Sequence, residues 1–310
     1  MEMLEKINLS KTIVSECISK NDENYGLYFL TCYGLLSKFG DEYLPLIEEF
    51  FRNTDFFIED EPLEYLVYTS GEKDYNYIGE DAIGFGKYNV TLNDNFQYVV
   101  VERKPKICMT TTNKKSNEKL TIFTHESAHI IKSLINGIFR DSNSVTLRGG
   151  LRIWSLDTND LDADWIHYND IFDEVLNVFQ TADMMEYICQ LDPNLLDDET
   201  RRFYDGLDLD TLSEPSGYVR CTPLLKTLWE NTSFKSSIET NIVTGQINNI
   251  ISDFDTITGD GSFSLLSRSI DEVAKGKNKL IKLKSKRIVK SIVSKYNNNS
   301  FLDTVQKVKC

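Results

Sequence analysis

The sequence predicts an α+β protein, mainly α, with a small β-sheet beside one His-Glu-x-x-His helix and a helical C-terminal half. Three observations predict it. Apolar residues recur at helical spacing through the first sixty residues and again beyond residue 190. One run, Phe96 to Met109, is dense in β-branched and aromatic residues. A His-Glu-x-x-His stretch of helical pattern follows that run across a short polar loop, Thr110 to Asn117. These patterns divide the chain into an N-terminal helical region (1–60), a core (61–190), a C-terminal helical region (191–274) and a basic tail (275–310), helical or partly frayed.

The totals bound the reading. A chain of 310 residues with 41% hydrophobic content can bury a sizeable core. No run of 18 or more apolar residues occurs, so no membrane span is expected. The start, Met1-Glu-Met-Leu-Glu, is acidic where a signal peptide is basic and then apolar, so a cytoplasmic location is expected, with export by another route left open. The six cysteines are scattered without a Cys-x-x-Cys pair, which suits thiols in a reducing compartment better than a disulfide framework or a cysteine metal site. The net charge of −14 is uneven. Residues 275–310 hold eleven Lys or Arg and one acid, Asp303, a net +10 that leaves −24 on the rest. The acidic body argues against duplex binding, and no sequence-specific nucleic-acid partner is expected. The tail could meet nucleic acid or anionic lipid, but folding back on the acidic body is the favoured reading because no aromatics interleave its charges.

Taken in order, Ser10 to Ser19, Tyr25 to Phe39 and Asp41 to Phe51 read as helices, the second closed by Gly40. Phe29, Leu35, Leu36, Leu44, Leu46, Ile47 and Phe51 are the candidate core, with the aromatic density read as packing. Pro62 to Tyr68 reads as one more helix, and Gly71, Gly79, Gly84 and Gly86 punctuate turns and short strands. Gly84-Phe85-Gly86 is not a phosphate loop, because it lacks a third glycine and a following amphipathic helix. Pro105 sits badly in a central strand, so Phe96 to Met109 is either two strands or an edge strand to which an extended peptide could add. Ser144 to Leu156 is β, either a hairpin turning at Gly149-Gly150 or one strand bulged there. Arg148 and Arg152 on it could serve a substrate carboxylate, although exposed strand arginines are the blander case.

The stretch Leu120 to Gly137 carries the chemistry. At about 100° per residue, His125 and His129 project from one face of a helix and can close on one metal ion. Glu126 falls at the rim of that face, within reach of a water on the metal and so placed for a general base. Ser116 and Asn117 offer N-cap oxygens, Glu118 puts an acid in the first turn, Ile122, Ile130 and Leu134 fit an apolar face, and Asn136-Gly137 supplies a stop, with Lys132 in the last turns. Two of the chain's three histidines are used here.

A catalytic zinc needs a third protein ligand and an open position. The candidates are His167, Asp170, Asp173 and Glu174. Asn169 to Ile188 reads as a helix capped by Asn169 or Asp170, with Ile171, Phe172, Val175, Phe179 and Met185 buried. Glu174 neighbours Ile171, Val175 and Val178 on it, and an unpaired carboxylate on an apolar face is expensive, so a metal would explain its presence. His167 is weighed as ligand, as transition-state hydrogen-bond donor and as an ordinary loop histidine, with Tyr168 and Tyr187 as alternative donors.

From about Phe96 to Gln190 the chain resembles the zincin metallopeptidases, and among them the gluzincins. In these His-Glu-x-x-His, here His125-Glu126-Ser127-Ala128-His129, sits on the active-site helix and a glutamate from a later helix completes the zinc site. The resemblance implies a zincin-like core, one Zn2+ held by His125, His129 and Glu174, Glu126 as catalytic base, and peptide or protein substrates. It leaves Asn177 or Asp170 to orient a ligand histidine. No third histidine follows His129 at close spacing, which sets the metzincin variant aside. A catalytic role for His167 is a further expectation. The alternative is a zincin-shaped binding or structural protein with a vestigial metal site.

Beyond the site, Asp198 to Tyr204, Thr222 to Glu230, Ile242 to Phe254 and Ser262 to Ala274 read as helices, Lys275 to Lys290 as an amphipathic or frayed terminal helix, and Asn297 to Asn299 as a short linker. The oligomeric state is not legible.

Overall fold

Every residue from Tyr25 to Ser37 is buried, which marks a helix enclosed on all sides rather than a surface helix with one apolar stripe. The computed structural model describes residues 2–59, 82–85, 88–92, 98–102, 104–111, 114–135, 138–140, 143–160, 166–243 and 245–307. The fold is α+β and mainly helical, and the described residues fall into two units, 1–134 with 180–214, and 135–179 with 215–310.

In the first unit α1 (Met3–Cys17), α2 (Tyr25–Phe39) and α3 (Leu44–Asn53) precede the strands β1 (Asp55–Glu59), β2 (Ala82–Phe85), β3 (Tyr88–Leu92), β4 (Tyr98–Glu102) and β5 (Lys106–Thr110), and then α4 (Ser116–Leu134). Helix α2 lies close to later segments because it carries glycine where they cross. A Cβ at Gly26 would stand 2.5 Å from the Cβ of Phe203. Phe29, Leu35, Leu36, Ile47 and Phe51 are core as expected, whereas Leu44 and Leu46 are half-buried. The aromatic density of this region is packing: Tyr28, Phe50, Phe51, Phe56 and Phe123 form one cluster with ring centroids 4.9–6.1 Å apart.

The run around Pro105 is two strands. β4 pairs with β3, whereas β5 pairs with β1 in parallel and with β2 in antiparallel, and the Pro105 carbonyl accepts from Asp55 N at 2.9 Å. β5 is therefore the middle strand of β1-β5-β2, with Ile107, Cys108 and Met109 fully buried, and it offers no edge to an added peptide strand. The edge-strand alternative is corrected on this point. Gly84 lies in β2, while the expected helix Pro62 to Tyr68 and Gly71, Gly79 and Gly86 lie outside the described residues.

The second unit opens with the meander β6 (Ile138–Arg140), β7 (Ser144–Gly149), β8 (Arg152–Asp157) and β9 (Ile166–Tyr168). The register Gly149↔Arg152 decides between hairpin and bulge: β7 and β8 are a hairpin turning at Gly150-Leu151, with φ +60° at Gly150, a value that favours glycine. Helix α5 (Asp170–Cys189) follows and runs on into residues of the first unit, which also holds α6 (Asp198–Tyr204) and α7 (Leu209–Leu212). Ile171, Phe172, Val175, Phe179 and Met185 on α5 are all buried, as their spacing predicts.

Helices α8 (Thr222–Trp229), α9 (Thr232–Val243), α10 (Ile247–Thr258), α11 (Ser262–Lys275) and α12 (Lys279–Lys307) complete the second unit. Its core joins Phe172, Val175 and Phe179 of α5 to Leu225, Trp229, Phe234, Phe254, Phe263, Val289 and Tyr296. The sequence predicts no helix over residues 231–241 and starts the next one at Ile242, whereas α9 covers Thr232–Val243. A turn at Gly245, φ +67°, separates it from α10. Asn297 to Asn299 is no linker but part of α12, where Asn297 donates to the Thr227 carbonyl at 3.1 Å and Asn299 to that of Ile257 at 2.9 Å. These side-chain bonds and the burial of Tyr296 and Ser300 outweigh the low helix propensity of three asparagines.

Candidate metal centre

Helix α4 is fixed at its start, on its buried face and through its polar side chains. Its first turn is closed by Glu118, which accepts from Lys115 N at 2.9 Å, the reciprocal half of a capping box. Ser116 and Asn117 are not caps but first-turn residues. The Asn117 amide instead donates to the Asp208 carbonyl and accepts from Asp208 N, both at 2.8 Å. Leu120, Phe123, Ala128, Ile130 and Ile131 form the buried face, with Ile122 and Leu134 only half-buried. Thr124, one residue before His125, is fully buried and hydrogen-bonds Thr31 of α2 at 3.0 Å, so the turn that carries the first imidazole is pinned. Asn136 and Gly137, the expected stop, lie outside the described residues.

On this scaffold His125 and His129 present Nε2 atoms 3.2 Å apart, their rings nearly perpendicular at 79°. Glu174 joins them: the potential ligand atoms of His125, His129 and Glu174 all lie within 4.8 Å of one another, and all three residues are half-buried. Two nitrogens on a tetrahedral ion at about 2.05 Å each stand about 3.3 Å apart, so the imidazole pair already has the separation that one ion requires. The three can hold a metal ion. Glu126 is half-buried on the same helix and is not one of the three.

The other candidates for third ligand are engaged elsewhere. Asp173 is 1% exposed and accepts from Leu151 N at 3.0 Å and from Arg152 Nε at 3.2 Å. Asp170 meets His167 Nδ1 at 2.9 Å, so it orients that histidine and not one of the pair on α4. His167 lies on β9 with its side chain 49% exposed, outside the three-residue group. Tyr168 is exposed, and Tyr187 lies under the Lys6 ammonium at 5.6 Å. Asn177 is fully buried. Cys32, Cys108 and Cys221 are buried free thiols, and burial pushes the Cys221 thiol up to about 11.

The contact missed by sequence reasoning is that of Arg152 with two carboxylates of α5. Arg152 is neither an exposed strand arginine nor a substrate-carboxylate site, because its guanidinium is ion-paired with both Asp173 and Glu174. The hairpin turn brings it there. Leu151 N donates to Asp173, and the Leu151 carbonyl accepts from Asn169 at 3.1 Å, so the turn is sewn to the first turn of α5. Asn169, φ +63°, takes a left-handed conformation that asparagine tolerates better than most residues. The argument that Glu174 would stand unpaired without a metal is thereby corrected: Arg152 pairs with it, although one guanidinium shared by Asp173 and Glu174 neutralises only one of the two carboxylates. A carboxylate has about four acceptor positions, so pairing at Oε1 still leaves it able to ligate. Asp173→Ala removes the buried acceptor of both Leu151 N and Arg152, and is expected to cost about 2–4 kcal/mol, read as a lowered midpoint in urea unfolding.

No protein-family model matches this chain, and neither curated proteins nor solved structures give a significant match.

Proposed function

We propose that this protein is a zinc-dependent metallopeptidase of the gluzincin type, acting on peptide or protein substrates. The observation that carries the reading is the convergence of His125, His129 and Glu174 within 4.8 Å, all three of which the sequence names as ligand candidates. Two imidazoles and one carboxylate form the donor set of catalytic zinc sites, which leave one position open. Bound there, zinc would supply Lewis acidity and lower the pKa of a water toward about 7. The chain's own residues do the rest. His125 and His129 would hold the cation from a helix whose Thr124 is pinned to α2. Arg152 holds the Glu174 carboxylate in one orientation. Glu126, one residue from a ligand yet outside the ligand set, takes a proton from the attacking water and returns it to the departing amine.

The pairing of Glu174 with Arg152 favours a second reading, a binding or structural protein whose metal site is vestigial, since the carboxylate has a cationic partner without an ion. Hydrolysis of a mixed peptide library by the zinc-loaded full chain separates the two. The proposal expects cleavage that stops on chelation and returns with added zinc. A chain that takes up no zinc and cleaves no peptide would favour the second reading.

A further inference from the structure

The first three turns of α12 combine two properties that folding into the second unit leaves exposed. Between residues 275 and 290 the sequence has eight Lys or Arg, no acid and no aromatic residue. Within that stretch Leu280, Ile281 and Leu283 are 78%, 46% and 50% exposed. On a helix Leu283, Arg287 and Lys284 flank Leu280 on one face, while Ser285 and Val289 lie on the other and are buried. The helix cannot roll to cover its leucines, because Val289, Ile292, Val293 and Tyr296 hold it in the core. Its first turn is formed and capped, Asn278 accepting from Leu280 N at 2.9 Å and from Ile281 N at 3.3 Å.

We infer that this face, α12 from Lys279 to Arg287, docks the protein peripherally onto an anionic lipid surface. Aliphatic side chains among lysines suit the boundary between headgroups and acyl chains: the leucines bury in the apolar layer, and the ammonium groups stay with the phosphates and carboxylates. The charge is complementary to such a surface and repels a second copy of the same face. A nucleic acid would meet the charges but leave the leucines in water, with no ring on this stretch to stack on a base. No helix among the described residues is long and apolar enough to cross a membrane, so the association is with the surface alone. It does not depend on the metal centre.

The full chain is sedimented with vesicles of phosphatidylcholine, and with vesicles in which roughly a third of the lipid is phosphatidylserine. Binding to the anionic vesicles at least about tenfold tighter, and weakening with added salt, is expected. Leu280→Asp with Leu283→Asp alters two exposed positions, which circular dichroism can confirm leaves the fold intact, and is expected to lower that binding by about tenfold or more. Lys284→Glu with Arg287→Glu keeps the leucines and is expected to remove most of the salt-sensitive part. No binding to anionic vesicles, equal binding to both kinds, or undiminished binding by the Leu pair variant would overturn the inference. A duplex oligonucleotide held as tightly as the vesicles, with no loss in the Leu pair variant, would give the face to nucleic acid and overturn it equally.

Discussion

Glu126→Gln is expected to keep the zinc and lose turnover, with kcat falling by about a hundredfold to ten-thousandfold, the span that general acid–base catalysis contributes. The substitution preserves size and hydrogen-bonding shape and removes only the ability to accept a proton at catalytic pH. Because Glu126 is not one of the three residues that can hold the ion, metal content and thermal stability should match the wild type. Steady-state kinetics beside elemental analysis checks both halves. Full activity in the Gln variant would contradict the role of base, and loss of zinc would make Glu126 a ligand instead.

His129→Ala should lose metal and activity together. With the Nε2 atoms of His125 and His129 only 3.2 Å apart, neither imidazole can be replaced by a shift of the other. The effect has a readout independent of catalysis. A ligand that binds only the folded state stabilises it by about 2.7 kcal/mol at a hundred times its Kd, so zinc should raise the melting temperature of the wild type and leave that of His129→Ala unchanged. Equal shifts in the two proteins would place the zinc elsewhere.

The parts of the site legible in the sequence were those governed by local periodicity. The spacing of His125 and His129, the acid at Glu118 and the apolar face of α4 are properties of one helix, and Ser116–Leu134 is that helix. The break at Pro105 was legible because proline removes a ladder donor wherever it sits. The unread features depend on what crosses the chain at a distance. Nothing near Arg152 in the sequence says that a two-residue turn will place its guanidinium against Asp173 and Glu174, so its charge looked solvated and that of Glu174 looked bare. The pairing of β5 on both sides rests on β1 and β2, more than twenty residues upstream. The helicity of Asn297 to Asn299 rests on acceptors contributed by α8 and α10.

The most direct test of the central claim, that three side chains from two helices share one cation, is zinc stoichiometry on the wild type beside Glu174→Gln. The Gln variant keeps an oxygen for Arg152, so the fold around α5 survives while the anionic donor is gone. About one equivalent in the wild type is expected, with affinity lowered by about a hundredfold or more in the variant, beyond what loss of a supporting hydrogen bond costs. A wild type that takes up no zinc, or a variant that holds it as tightly, would contradict the account.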